Sequence, residues 1–355
     1  MGEHFVRVVI EKQILGVLIN NSDTLNSRVK IMGKFQEKMI DDMVDSIIDP
    51  IARINYLSQG KVFWVFEDSD EGYERMVKEH PKNVFVTVKE AYDACTSNRN
   101  DMVMINGHSS HSNALITVSK NRIHFIGMDG GGRMNSQGAK LSTPATSVAG
   151  STAVINNSGT RNTYKNIKFI QQGTNAAQIT AFYDTGEGTY VKNCSFHHNS
   201  LLTTAARSSL KFAGDTCHYE DCQIGNSTVQ SNVDNVAPLL IKTPARYSYF
   251  INCTMISYST KTTASCIDVP DADGIIGWIM FKNCSLISAS KGDGTTAAGT
   301  MAEGVTSLCT SGYLYFDNNC TSYFATIFAE LDPSIYNASP AGASTAGGGE
   351  AVPGA

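Results

Sequence analysis

Between residues 164 and 286 the apolar positions form a repeated phrase rather than long runs. Each copy sets an Asn or Asp after an apolar residue two places earlier. Apolar residues follow at one and three places later. The copies centre on Asn166 (Tyr164, Ile167, Phe169), Asn193 (Val191, Cys194, Phe196), Asp221 (Tyr219, Cys222, Ile224), Asn252 (Phe250, Cys253, Met255) and Asn283 (Phe281, Cys284, Leu286). They recur at intervals of 27, 28, 31 and 31 residues, and Asn319-Cys320 follows after 36. That last copy carries Asp317 at the apolar place, with Phe316 beside it. A period of this size predicts stacked structural units. Segments rich in Tyr, Phe, Val, Ile and Thr predict strands. Gly, Asn, Ser and Thr clusters between them predict turns. Nothing inside a repeat is long enough for a helix, so a coiled sheet with two or three short parallel strands per turn is expected.

The Asn then has a purpose. Strict alternation would put positions −2 and +1 on opposite faces of a strand. A one-residue bend at the Asn brings both inside, and Asn and Asp tolerate the left-handed backbone that such a bend needs. Stacked rungs would let the side chains of Asn166, Asn193, Asp221, Asn252, Asn283 and Asn319 bond along the axis. Cys194, Cys222, Cys253 and Cys284 would form an interior column of small apolar residues.

Upstream the periodicity changes. Phe35, Met39, Met43 and Ile47 recur every four residues, with Ile40, Val44, Ile48 and Ile51 beside them. This predicts a helix with one apolar stripe, ended or kinked at Asp49-Pro50. Residues 1–60 are therefore expected to be a helical docking or oligomerisation region. Residues 61–67 read as a strand, 70–79 as a short helix and 84–86 as a strand. Together with a cap at 88–95 they suggest a small α/β adaptor over 61–95. The coiled sheet is expected over 96–332. From 333 to 355 the chain is dominated by Ala, Gly, Ser and Pro, which predicts a flexible tail.

Composition narrows the possibilities. Charged residues are 17% of the chain and the net charge is −5, against a basic nucleic-acid footprint or attraction to anionic membranes. No run of ~18 apolar residues suggests a membrane span. Glu3 stands where a secretory signal has basic charge, and Glu11 and Lys12 interrupt the first apolar stretch, so cytosolic synthesis is expected. Nine cysteines without a Cys-x2-Cys pair suggest neither a disulfide framework nor a zinc ribbon.

Cap, first coil and Asn phrases together resemble the right-handed parallel β-helix of the pectate-lyase superfamily, over about residues 84 to 330. The cap is Val88 to Cys95. The first coil runs through Asn100 to Gly107 and Ala114 to Val118, ending in the phrase Ile123 to Gly127 with its Ile126-Gly127. In that superfamily such a helix covers the open end of the coil, where unpaired strand edges would be exposed. The resemblance implies a mainly β protein, a right-handed single-stranded parallel β-helix with a helical and α+β N-terminal region. It does not fix an activity, since this fold carries many.

Candidate chemistry is sparse. Asp268, Asp271 and Asp273 lie in one Pro- and Gly-containing phrase. They read either as a solvated turn or as acids for calcium binding or glycan cleavage. Asp184 and Glu187 flank Gly186 and read as another turn. The Asn-Thr-Asp, Gly-His-Gly and Arg-Ile-Lys phrases of polygalacturonases are absent from the sequence, as is the Arg-x-Pro-x-x-Arg phrase of pectate lyases. His108 and His111, and His197 and His198, would need a further converging ligand to hold zinc. No cofactor or metal is expected.

Phage β-helix proteins are made in the host cytosol and often assemble as trimers on a capsid or tail. This resemblance implies a bacteriophage virion structural protein, a capsid decoration or a spike or fibre component. It would be a homotrimer docking on other virion proteins through residues 1–60. The alternatives are a polysaccharide lyase or hydrolase using Asp268, Asp271 and Asp273, or a non-catalytic adhesin. The adhesin would bind host-surface glycan through exposed aromatics such as Tyr247 and Tyr249.

Overall fold

The computed structural model describes residues 60–337, interrupted at 71, 108–109, 113–114, 129–137, 145–151, 174–178, 199–207, 232–235, 262–263, 272–273, 289–299, 305–311, 318, 324–325 and 329–334. The helix expected over 35–51 and the tail beyond 337 lie outside the described residues.

Three sheets, all parallel, make the wall: one of 11 strands and two of 8. Each full turn of chain visits the first, second and third sheet in that order. One turn runs through Tyr190–Lys192, Ser195–His198 and Ser208–Phe212, and the next begins at His218–Glu220. Successive turns pair in register, so Val191 lies beside Tyr164 and Tyr219. This is a parallel β-helix with three strands per turn.

The chain enters through β1 (Val62–Val65), α1 (Tyr73–Glu79), β2 (Val84–Phe85) and α2 (Val88–Ala94). β1 pairs with Met102–Ile105 over four residues, and β2 pairs with β1. The strands of the segment expected as an α/β adaptor and cap thus pair into the first sheet. α2 starts in a capping box in which Thr87 accepts from the Glu90 N–H and Glu90 accepts from the Thr87 N–H. Its Val88, Ala91 and Tyr92 are buried over the end of the coil. Gly127, last residue of the first-coil phrase, meets the next rung: a Cβ there would lie 2.2 Å from the Asn166 carbonyl oxygen. At the other end Ile335–Asn337 adds a strand beyond the expected limit at 332.

The bend after the first sheet sets the core. Asn166, Asn193, Asp221, Asn252 and Asn283 have φ of 58°, 50°, 55°, 55° and 52°, in the left-handed region. Their flanks point inward: Tyr164, Val191, Tyr219, Phe250 and Phe281 before the bend, and Ile167, Cys194, Cys222, Cys253 and Cys284 after it, are all buried. Asn193 Nδ2 donates to Asn166 Oδ1 at 2.8 Å, Asn252 Nδ2 to Asp221 Oδ1 at 3.1 Å and Asn283 Nδ2 to Asn252 Oδ1 at 2.8 Å. A carboxylate has no N–H, so Asp221 receives a bond from one neighbour and gives none to the other. The last copy differs: Asn319 is exposed. Asp317 Oδ1 instead accepts from the backbone N–H groups of Asn283 and Asn319, so the carboxylate takes the place that a main-chain carbonyl of the next rung, such as Lys282 O for Asn252, fills elsewhere.

Inside, rings stack along the axis. Phe250 lies 4.9 Å from Tyr219 and 5.1 Å from Phe281, which lies 4.8 Å from Phe316. The Cys column shows why cysteine suits its place: each thiol donates to the carbonyl two residues earlier, Cys222 to Glu220 at 3.2 Å and Cys253 to Ile251 at 3.4 Å. Alanine would fill similar space without that bond.

A second left-handed column lies at the entry to the first sheet. Arg122, Arg161, Gly188, Thr216 and Tyr247 have φ of 56°, 57°, 64°, 52° and 47°. Each stands two residues before the paired column His124, Thr163, Tyr190, His218 and Tyr249. The N–H groups of the first four donate to the next rung, Arg161 to Glu187 O at 2.7 Å and Thr216 to Arg246 O at 3.1 Å. Asn100, with φ 60° and two residues before Met102, continues the column, so the same backbone bend is made on six successive rungs by five different residue types.

Candidate functional site

The three acids of the 268–273 phrase do not share one turn. Asp268 is in the strand Ser265–Val269, in register with Leu240 and Glu303 and half-buried between inward Ile267 and Val269. Asp271 lies in the turn that follows, where Lys242 Nζ donates to it at 2.7 Å. Burial raises the Asp271 pKa, but the bonds from Lys242 and the Thr243 N–H and the charges of Lys242 and Lys211 together leave it below the usual carboxylate value. Asp273 lies outside the described residues. Directly beneath Asp268 is Leu240, and Lys211 and Tyr183 occupy the two rungs below that, with Lys211 Nζ 4.5 Å from the Tyr183 ring centre. Burial and the Lys242 charge hold Lys211 below its ordinary pKa, against the pull of Asp271. The third sheet and the turns that follow it therefore carry Asp268, Asp271, Lys211 and Lys242 on one side, with Lys242 and Asp271 ion-paired.

Asp184 is not a turn acid. It is fully buried inside the coil, at the end of the strand Thr180–Asp184. Tyr219 Oη donates to its Oδ2 at 2.7 Å, while Asn157 Nδ2, the Gly186 N–H and Thr189 Oγ1 donate to its Oδ1. Burial raises its pKa despite these four donors. The sequence held the signal, because period 2 puts Asp184 on the same side as inward Phe182. The rung between two buried tyrosines carries the smaller Val191, leaving Tyr164 and Tyr219 to turn their hydroxyls toward Asn157 and Asp184.

The histidines are separate. His111 and His197 are buried on different rungs, and His108 lies outside the described residues. Burial, with Lys168 adding to it, lowers the His197 pKa to about 3, so the ring is neutral. Among the described residues no three His, Cys, Asp or Glu side chains converge as a metal site. The described cysteines are free, and burial pushes the Cys194 thiol up to about 12 and Cys253 well above its ordinary value. Such thiols are protonated and unreactive at neutral pH.

The outer face of the first sheet is different in kind. His218, Tyr249, Met280 and Tyr315 occupy one column, with Tyr247, Trp278 and Tyr313 two residues before it. The Trp278 ring lies 4.7 Å from Tyr249 and 5.9 Å from Tyr247, edge to face in both cases. Tyr249 lies 4.9 Å from His218, and Tyr313 lies 6.0 Å from Tyr315. Tyr247 and Tyr313 are 42% and 40% exposed. A register shift between Arg246 and Ser248 accompanies an extra residue in the facing strand, the Gly277-Trp278 bulge. Gly277 has φ 81°, and a Cβ there would lie 2.3 Å from the Tyr247 ring. Glycine thus makes room for the ring, and the bulge turns Trp278 onto the same face. The sequence pointed to Tyr247 and Tyr249 but missed Trp278 and Tyr313, which the bulge brings beside them.

No family model and no curated protein matches this chain in sequence. Solved structures do match in shape. A mutant pectin methylesterase in complex with a hexasaccharide superposes with TM-score 0.52 at 13% identity, over 81% of this chain and 92% of its own. The pectin methylesterase from Erwinia chrysanthemi gives 0.50 at 14% identity, over 82% and 92%. That from Aspergillus niger gives 0.50 at 14%, over 81% and 89%. With three parallel sheets, left-handed Asn bends and a helix over the first coil, the chain has a right-handed parallel β-helix fold like that of these pectin methylesterases.

Proposed function

We propose that this chain is a bacteriophage virion structural protein, a capsid decoration or spike component. In this reading residues 1–60 dock on other virion proteins, three copies associate, and the β-helix projects from the particle. The observation that carries it is the interior. Its packed rings and buried, protonated thiols suit a durable rod assembled in a reducing host cytosol. Mass spectrometry of purified particles from the source virus should find the polypeptide in fixed stoichiometry with the capsid or tail proteins; its absence would end this reading. Light scattering on the full chain should give about three times 38.3 kDa.

A second reading, a polysaccharide-acting enzyme, is favoured by one observation, the Asp268, Asp271, Lys211 and Lys242 surface. Structures of like fold belong to pectin methylesterases. Pectin and polygalacturonate are the first substrates to try. An Asp268→Asn, Asp271→Asn variant as active as the parent would remove that surface from consideration.

A further inference from the structure

We infer that the outer face of the first sheet around Tyr247, Tyr249, Trp278 and Tyr313 is a carbohydrate-binding platform that holds a short glycan segment along the coil axis. The inference does not rest on the virion reading. It begins from the second left-handed column. That bend is made with Gly188 and Thr216 on neighbouring rungs, so the backbone does not require an aromatic at 247. A bulky residue with positive φ is an outlier that needs a reason. Packing does not supply one, because Tyr247 is among the most exposed large apolar side chains described. The next rung nevertheless accommodates it, with a glycine beneath the ring and a bulge that places Trp278 beside it. Bulges of this sort commonly re-aim a side chain at a functional site.

The chemistry fits a sugar. Pyranose rings present a face of C–H groups that lies against aromatic rings and a rim of hydroxyls that seeks planar polar groups. Trp278, Tyr247 and Tyr249 supply the first. The rim is polar: Arg246 Nε donates to Asp215 Oδ2 at 2.8 Å, and Glu220 accepts from Tyr190 Oη at 2.6 Å and Lys192 Nζ at 3.1 Å.

Size separates this from a protein interface. Four rungs at ~4.8 Å and two outward positions per strand make a strip of roughly 14 by 7 Å, about 100 Å². A stable protein contact needs about 800 Å² from each partner. The strip instead matches two or three sugar units end to end.

The chain carries Trp64 and Trp278 alone, and Trp64 stacks on His80 near the capped end, at 5.9 Å. A full-length Trp64→Phe variant therefore makes Trp278 the sole indole reporter. It is titrated with polygalacturonate, xylan, dextran, mannan and smooth lipopolysaccharide. Saturable change in Trp278 emission with at least one of these is expected, and calorimetry should agree. Trp278→Ala and Tyr247→Ala should each weaken that binding roughly tenfold or more with unchanged circular dichroism. The platform is overturned if no polysaccharide of the panel binds, or if binding survives both substitutions. It is also overturned if light scattering finds self-association that Trp278→Ala abolishes, which would make the strip a contact between copies.

Discussion

The two left-handed columns of the first sheet make the same bend with opposite selectivity. At the exit, Asn166, Asn193, Asp221, Asn252 and Asn283 are nearly uniform; at the entry, Arg122, Arg161, Gly188, Thr216 and Tyr247 share only a sign of φ. Backbone bonds from rung to rung are alike in both. The difference lies in the side chain. At the exit the amide bonds its neighbours above and below, and the residues on either side of it must both turn inward. At the entry the side chain faces out and the coil asks nothing of it. A β-helix thus has one bend whose residue is fixed by folding and another whose residue is open to other uses, and the aromatic platform has grown on the second.

The interior should give the largest effects. Phe250→Ala removes a ring stacked between Tyr219 and Phe281 and should cost about 3–5 kcal/mol in equilibrium unfolding. The outward Trp278→Ala should cost under about 1 kcal/mol despite its larger side chain. Equal costs would erase the distinction between the two faces.

Asp184 comes next. Asp184→Ala leaves four donors facing an empty space and should cost about 3 kcal/mol. Asp184→Asn keeps an acceptor for Asn157, Thr189 and the Gly186 N–H, and its amide can donate to Tyr219. The pH dependence gives a separate check. The Asp184 pKa is raised by folding, so its contribution is full below the unfolded value near ~3.9 and is lost as pH rises through the folded value. The stability of Asp184→Asn relative to the parent should therefore improve as pH rises from about 4. A flat difference across that range would mean that the carboxyl is not sequestered.

The sequence made the exit bend legible because folding constrains it: a repeated Asn with apolar flanks is a pattern that spacing alone detects. The capping helix was legible for the same reason, since Thr87 and Glu90 are a local signature. The entry bend left no such trace, because Arg, Gly, Thr and Tyr share no side-chain chemistry. Asp184 was misplaced because Gly186 beside it suggested a turn, whereas the alternation with Phe182 had already put it inside. The platform was half legible. Tyr247 and Tyr249 stand in the sequence as aromatics on a strand, but Trp278 and Tyr313 join them only through pairings some thirty residues away and a one-residue bulge. Asp268 and Asp271 are neighbours in sequence with different surroundings, one on a strand and one bound to Lys242.

The contrast between the two bends has a direct test in urea unfolding of Asn252→Ala and Tyr247→Gly side by side. Asn252→Ala loses a side chain suited to the left-handed region and two amide bonds, so its midpoint should fall by the equivalent of about 1–2 kcal/mol. Tyr247→Gly gives the entry bend the residue it already accepts at Gly188, and its stability should stay within about 1 kcal/mol of the parent. A loss at Tyr247 as large as that at Asn252 would mean that folding fixes both columns and that the aromatic at the entry bend is part of the scaffold.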